Sequence, residues 1–503
     1  MPQPDYYSEL KVPGLELKFV DLDRDDEYVA CNRYLRDPET LNFVLDFGTD
    51  EAWVAVNVLG NELVGLLAHK RPSALTTRWI NIFAPNRQVD VVKALAKHYA
   101  FSPRLYGLMC LEPLKPQIVA ATEEPPSTTE RFKNYARRER QRLRASYDPQ
   151  SPTAARNPED PLELRQAAPV SGTKRLDVNH YHIVDGVWHW SSMDYGEKFL
   201  CLGYNWLHNV DDGEDENPEE DLKDVPSGRR LWTWLILCDD GATPPSNTFL
   251  VQHLSNILGT VISIHEDPFP GQNKLTPDEQ TRMNLSIIRR NLLNVFQNLS
   301  KAEKARFSSV AEGAISTLHI RKAPGSADGD PSGDSPSLLF YYLFDDWYTT
   351  YSLVVRRQHK YGEKLRTLRQ ELSQKPGLGQ LQEIHQIGRQ LGVLKRVYTS
   401  YKLMIDRIVQ GQKPKNKLRQ LSRESTSEHY GVHKKGSLNN TSNPVAALGT
   451  TLSSSAIVRF QRLGDRVDMY VLSEIQQCLD EKEALVFMVS LIKRELYEDK
   501  PQF

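Results

Sequence analysis

The sequence predicts an α/β domain with a helical layer, followed by long helices. Three observations carry this expectation. Thr77–Arg87 opens as a strand rich in aromatic and β-branched residues (Trp79, Ile80, Ile82, Phe83) and passes through Pro85 into a helical pattern. A second strand pair is written in 229–241 and 260–270, as Trp-Leu-Ile-Leu-Cys-Asp-Asp-Gly and Thr-Val-Ile-Ser-Ile-His-Glu. The last third of the chain then repeats apolar residues every three to four positions over long stretches.

In chain order, residues 1–40 are polar and expected to form a frayed lead-in with a short helix. The α/β domain is assigned to 41–320. Within it, Leu41–Leu45 and Trp53–Val58 read as strands, with Gly60-Asn61 as a turn into Leu63–Leu67. Asn86 is placed to cap the helix after Pro85 by accepting from a free amide. Val89, Val92, Leu95 and Tyr99 mark the buried face of that helix. Ser102-Pro103 is expected to stop it, because the residue before a proline is pushed out of the helical region.

Composition shifts to Pro, Ser, Arg and Glu over 123–174, which predicts a disordered basic linker. Its run Arg131–Arg144 carries two aromatics, Phe132 and Tyr135, and is read as a solvated linker helix in preference to an RNA or anionic-lipid patch. His180–Trp190 alternates around Asp185-Gly186 as a hairpin. His180, His182 and His189 lie in it without cysteines at finger-like spacing, so they read as sheet histidines rather than zinc ligands. The acidic loop 211–224 lacks the spaced ligands and central glycine of a calcium hand. It reads as a solvated loop, with a weak hydrated Mg²⁺ contact as the alternative. Asp240-Gly241 supplies the positive φ angles of a tight hairpin turn, although Ala242–Gly259 interrupts that hairpin.

Thr276-Pro277-Asp278-Glu279 is a helix start, with a capping hydroxyl, a first-turn proline and a glutamate at the third position. Leu285, Ile288, Leu292, Val295, Phe296 and Leu299 form its stripe. Residues 321–336 read as a flexible linker. The 337–410 segment predicts two long helices, Ser337–Ser373 and Leu381–Val409, antiparallel because the link through Pro376–Gly379 is short. The second buries Ile384, Ile387, Leu391, Leu394, Tyr398, Tyr401, Ile405 and Ile408. Residues 411–450 are expected to be a disordered linker. A last helix is expected over 451–488, with Ile457, Phe460, Leu463, Val467, Tyr470 or Val471, Ile475, Cys478 or Leu479, and Leu485 on its stripe. A charged tail, 489–503, comes after it.

The stretches Thr77–Arg87, 229–241 and 260–270 together resemble the cytoplasmic part of CorA-like magnesium transporters, in the divergent fungal form. That form has a WI-x-I-x-x-P strand and helix, a WTW-x-x-L-x-DDGTVI-x-I-HEDPFP hairpin and a long stalk helix. The resemblance spans Leu41 to Met488. It implies an α-β-α layered cytoplasmic domain and makes the 451–488 helix stalk-like. It further implies a portion that carries no chemistry, assembles as a homo-oligomer (a pentamer), pairs with full-length paralogues, and gates a pore when regulatory Mg²⁺ occupies sites between subunits. The family's membrane spans and Gly-Met-Asn tripeptide do not follow Met488, so the chain by itself is expected to be transport-incompetent. The 242–259 insertion and the departure after Met488 both read as retained introns: the insertion is in frame, and Val489-Ser490 can be encoded as the donor-like GTAAGT.

Composition narrows the function classes. The 503 residues are 39% apolar with a net charge of −2, which predicts partly unpacked chain and no nucleic-acid partner. Five cysteines (Cys31, Cys110, Cys201, Cys238, Cys478) lie far apart with no C-x-x-C pair, as suits a reducing compartment. No secretory signal opens the chain. The most apolar run, Leu338–Val355, is broken by Asp345-Asp346, each costing about 2.5–3.5 kcal/mol to insert into a bilayer. The expected location is cytoplasmic, or membrane-associated in a form carrying the spans. Phosphate-loop, dinucleotide, zinc-protease and nucleophile-elbow motifs are absent, and His265-Glu266-Asp267 reads as a strand end. No catalytic or cofactor-binding residue is expected, no metal ligand is assigned, and an enzyme is not expected. The leading expectation is the cation-sensing, oligomerising cytoplasmic portion of a CorA-like transporter for Mg²⁺ or another divalent cation. Its rival is a soluble scaffold or interaction protein derived from the same domain.

Overall fold

The structure, a computed structural model, describes residues 5–10, 12–110, 191–209, 228–240, 258–266, 276–302, 320–321, 334–347, 359–374, 378–424 and 450–498. Residues Lys115–Val178 form a separate unit outside the described residues. The described residues all belong to the other unit, Met1–Leu114 with Asn179–Phe503.

Eight strands hydrogen-bond into one mixed sheet: β1 (Val20–Asp21), β2 (Asn42–Phe47), β3 (Ala52–Val56), β4 (Thr77–Phe83), β5 (Ser191–Tyr195), β6 (Phe199–Asn209), β7 (Gly228–Asp239) and β8 (Gly259–Glu266). Their order across the sheet is β1-β3-β2-β4-β8-β7-β6-β5. Neighbours are antiparallel throughout, except that β4 and β8 run parallel from Thr77↔Gly259 to Phe83↔His265. The sheet is thus two antiparallel halves joined along one parallel seam. Parallel neighbours require a crossover, and here the chain between them includes the β5–β7 half of the sheet.

Every residue of β2, β4 and β8 is buried, so the seam needs cover on both faces. One face presents Val44, Ile80, Ile82, Ile262 and Ile264. They meet Leu63 and Leu66 of α3 (Gly60–Ala68), Val92, Leu95 and Tyr99 of α4 (Val89–Tyr99), and Leu105 of α5 (Pro103–Met109). On the other face Phe43 packs edge-on against Trp79 (4.9 Å) and against Phe296 of α6 (Pro277–Gln297; 5.8 Å). Tyr204 on β6 meets Phe344 of α7 (Ser335–Trp347) at 5.2 Å. Helices therefore cover both faces of the sheet.

Local chemistry sets the helix ends. Thr276 caps α6 in a reciprocal box, Glu279 N donating to its hydroxyl (3.3 Å) and its own N–H donating to Glu279 Oε2 (2.8 Å). Asn86 does not cap α4. It lies in a short 3₁₀ turn, and Gln88 takes the N-cap position, its amide turned back to donate to the carbonyls of Phe83 and Leu41 (2.7 and 2.8 Å). α4 ends before Ser102-Pro103, at a left-handed Ala100 (φ 56°), and Ser102 instead caps α5 by accepting from Leu105 N (3.1 Å). Gly60-Asn61, expected as a turn into Leu63–Leu67, instead opens the helix that contains them.

The expected frayed lead-in is packed. It contributes α1 (Asp5–Glu9), α2 (Asp25–Arg36) and β1, and buries Tyr6, Tyr7, Leu10, Leu15, Phe19 and Leu22. Tyr7 stacks on Phe19 with centroids 3.9 Å apart. Aromatic side chains carry enough area to anchor a segment whose overall composition is polar.

Beyond the sheet, the described residues of the expected Ser337–Ser373 helix fall in two helices. α7 packs against the sheet, whereas α8 (Lys360–Gln374) begins anew after non-helical His359 and packs on α9 (Leu378–Glu424). α8 and α9 are antiparallel neighbours, with Lys364 Nζ 3.3 Å from Glu383. α9 runs on to Glu424, past the expected end at Val409. All eight residues expected on its stripe, from Ile384 to Ile408, are buried. α10 (Ser454–Arg466) and α11 (Ser473–Glu498) are joined without a break by a π-helical turn, Val467–Leu472. The sequence explains it: Leu463, Val467, Val471 and Ile475 are buried at three successive four-residue steps, which overrun the 3.6-residue α-helix by about one residue. The wider turn absorbs the excess and keeps the stripe facing the bundle. Among the described residues, no helix is long and apolar enough to cross a membrane.

Leu394 is fully buried on the α9 stripe. Leu394→Asp is expected to lower unfolding stability by roughly 3 kcal/mol or more, read from a urea midpoint, because the charge has no partner there. An unchanged midpoint would place the stripe at the surface.

Candidate functional site

Among the described residues polar groups break the apolar interior at several places; besides the pair of Arg321 with Asp23 (2.7 Å), three constellations stand out. The first lies at the start of the parallel seam. Asp46 on β2 is fully buried and accepts two bonds from Arg78 on β4, at 2.6 and 2.7 Å. Burial works against the Arg78 charge, but the Asp46 carboxylate outweighs it and holds the guanidinium above its ordinary value. Arg71, in the α3–β4 connection, donates through Nη2 to Asp240 (3.0 Å) and to the carbonyls of Gly259 (2.9 Å) and Thr76 (3.1 Å). Asp240 also accepts from Thr260 (2.6 Å) and from the Tyr99 hydroxyl of α4 (2.9 Å). Two cations, two carboxylates and their hydroxyl donors bond to one another, with Arg71 Nε left unpartnered; the arrangement clamps strands and offers no reactive group.

The second lies on the opposite sheet face. Trp79 Nε1 donates to Ser263 Oγ (2.9 Å), and Ser263 donates to Asn81 Oδ1 (2.6 Å). His265 Nε2 bonds the same Asn81 oxygen (2.7 Å), and its Nδ1 bonds Thr233 Oγ1 (3.1 Å). The Asn81 oxygen can only accept, so Nε2 carries the proton and Nδ1 accepts from the hydroxyl. Burial, assisted by the positive charge of Arg289, pushes the His265 pKa well below its ordinary value. This is a neutral, satisfied sheet histidine. Arg289 itself is pushed down to about 10, first by burial; it lies 3.8 Å over the Phe83 ring and donates to the carbonyl of Leu35 (3.2 Å) at the end of α2.

The third is in the helical bundle. His359 precedes α8 and accepts at Nδ1 from Gly362 N (3.2 Å), an imidazole N-cap. Its Nε2 therefore carries the proton and donates to Glu474 on α11, at 2.9 Å. Cys478 lies one turn further along α11, and one ligand atom from each of the three residues falls within 4.8 Å of the others. Burial, then the charges of Glu474 and Glu481, push the Cys478 thiol up to about 12.

The basic run 131–144, the histidines His180, His182 and His189, the acidic loop 211–224, and Asp267 lie outside the described residues. The seam clamp and the His359 cluster were not among the expected sites. Glu474 and Cys478 share a helix face at four-residue spacing, which is visible in the sequence; His359 is 115 positions from Glu474 and has no local signal. Arg71 and Asp240 are likewise 169 apart. Two cavities among the described residues, beside Tyr204 and Tyr401 and beside Phe83 and Arg289, measure about 10 and 20 Å³, room for about one water each.

No protein-family model and no curated protein matches this chain.

Two outcomes are expected. Arg78→Met, which strands the Asp46 carboxylate, is expected to cost roughly 3–5 kcal/mol in denaturant titrations, and adding Asp46→Leu to recover much of the loss, because a buried ion pair is costly chiefly when half of it remains. For His265 the native pKa is depressed, so below about pH 6.5 the unfolded chain takes up a proton that the native ring cannot. Stability is then lost as pH falls from 7 to 5, by up to about 1.4 kcal/mol per pH unit from this group. His265→Gln is expected to be less stable at pH 7 but to show a shallower slope over that window; parallel slopes would contradict the assignment.

Proposed function

We propose that the chain is a cation-sensing, oligomerising domain related to the cytoplasmic portion of CorA-like divalent-cation transporters. One observation supports this most. The stretches that carry the resemblance are far apart in sequence, yet β4 and β8 are hydrogen-bonded partners with β7 next in the sheet, and helices cover both faces. The stretches that carry the resemblance thus lie side by side in one sheet, which supports reading them together. In this reading the domain performs no covalent chemistry. Carboxylates facing one another between copies repel until Mg²⁺ neutralises them, and the ion shifts the population toward the closed assembly because it binds that state better.

A second reading, a scaffold or interaction protein, is favoured by the end of α11. There Phe487 and Leu491 are 64% and 45% exposed, and no helix among the described residues is suited to a bilayer. Apolar side chains grouped on one exposed helix end suit a protein partner.

Millimolar Mg²⁺ is expected to raise the melting temperature or change the oligomeric mass of the purified chain, since a ligand that binds only the folded form stabilises it. Choline chloride at matched ionic strength is expected to do neither. An equal shift with both salts would mean charge screening, and no response to either would favour the scaffold. Reconstituted in liposomes, the chain alone is expected to give no Mg²⁺ flux above empty vesicles.

A further inference from the structure

We propose that His359, Glu474 and Cys478 bind a borderline-soft divalent cation of the zinc class, pinning the start of α8 to α11 within a single chain. The donor set is one imidazole, one carboxylate and one thiol, the nitrogen–oxygen–sulfur mixture that suits Zn²⁺. Mg²⁺ demands near-octahedral oxygen and gains little from such ligands. The site is independent of the proposed Mg²⁺ response, and either can fail without the other.

The ligand atoms are already within 4.8 Å of one another, close enough for one ion to bridge them with small side-chain movements. His359 and Cys478 are buried and Glu474 keeps 35% of its side chain exposed, which leaves an approach from solvent on the carboxylate side. With Cys478 ionised, its thiolate and the Glu474 carboxylate match the charge of the ion. That outweighs the partial positive charge, about half a unit, at the start of α8. Binding releases the thiol proton to solvent and moves the imidazole proton from Nε2 to Nδ1, so that Nε2 is free to ligate. The Gly362 cap is given up in the exchange, a small loss beside three metal–ligand bonds.

The test uses the full chain after chelator treatment, with Co²⁺ as the spectroscopic probe and Zn²⁺ as competitor. Expected are a thiolate-to-cobalt charge-transfer band, its loss on adding Zn²⁺, and a rise in melting temperature with Zn²⁺. Cys478→Ala is expected to abolish the band and the rise, and Glu474→Gln to weaken Co²⁺ binding by at least about tenfold. Cys31→Ala, in a different part of the chain, is expected to leave both intact. Metal-free melting curves establish that each variant is folded; should Cys478→Ala not fold, the partly exposed Glu474 position decides. A wild-type chain with no band and no Zn²⁺ shift overturns the proposal. So does a band that survives Cys478→Ala, or Co²⁺ affinity unchanged in Glu474→Gln.

Discussion

The fold depends on the parallel pairing of β4 with β8. Each half of the sheet is antiparallel and could close on itself through local connections; only this seam makes them one sheet. Parallel pairing is slightly weaker per residue than antiparallel pairing, and the structure reinforces it at one end with the densest set of charges in the interior. Asp46 and Arg78 hold β2 to β4, while Arg71 reaches across the seam to the Gly259 carbonyl and to Asp240 after β7. Such a buried network contributes little net stability compared with an apolar replacement. Its value is in register: a one-residue slip of β8 along the seam would carry the Gly259 carbonyl away from Arg71.

The legible parts of the sequence were those where one period ran long enough to exclude alternatives. The β4 strand, the β7–β8 pair, the α6 capping box and the buried stripe of α9 follow directly from residue patterns that local physics interprets. What misled was composition averaged over a segment. Residues 1–40 are polar as a whole, but Tyr6, Tyr7 and Phe19 are spaced to meet on the sheet, a fact that no average conveys. The break between α7 and α8 was invisible for a related reason. Histidine is an unusual helix cap, and nothing in the local pattern announces that its ring accepts from Gly362. Of the polar constellations, only pairs close in sequence, such as Glu474 with Cys478, left a trace; the seam clamp is assembled by tertiary structure alone.

The helical bundle shows how a sequence mismatch becomes geometry. The stripe from Leu463 to Ile475 is too widely spaced for an α-helix, and the π turn at Val467–Leu472 takes up the difference. Without it, Ile475 and Cys478 would rotate out of the bundle, and Glu474 would lose its position opposite His359. The placement of the polar cluster is thus tied to a local helical irregularity a turn away, and the link between them is purely one of helical phase.

The seam also has a consequence in time. Asn81 on β4 is separated from Ser263 on β8 by 182 positions, bonded as they are in the finished sheet. At synthesis rates of about 5–20 residues per second, β4 leaves the ribosome roughly 10–40 s before its partner strand exists. Throughout that interval the first half-sheet carries an unpaired edge, with Arg78 and Asp46 already able to pair but Arg71 still without Asp240. An unpaired edge invites pairing with other chains, so the nascent protein passes through a long stage in which the edge of its first half-sheet is open.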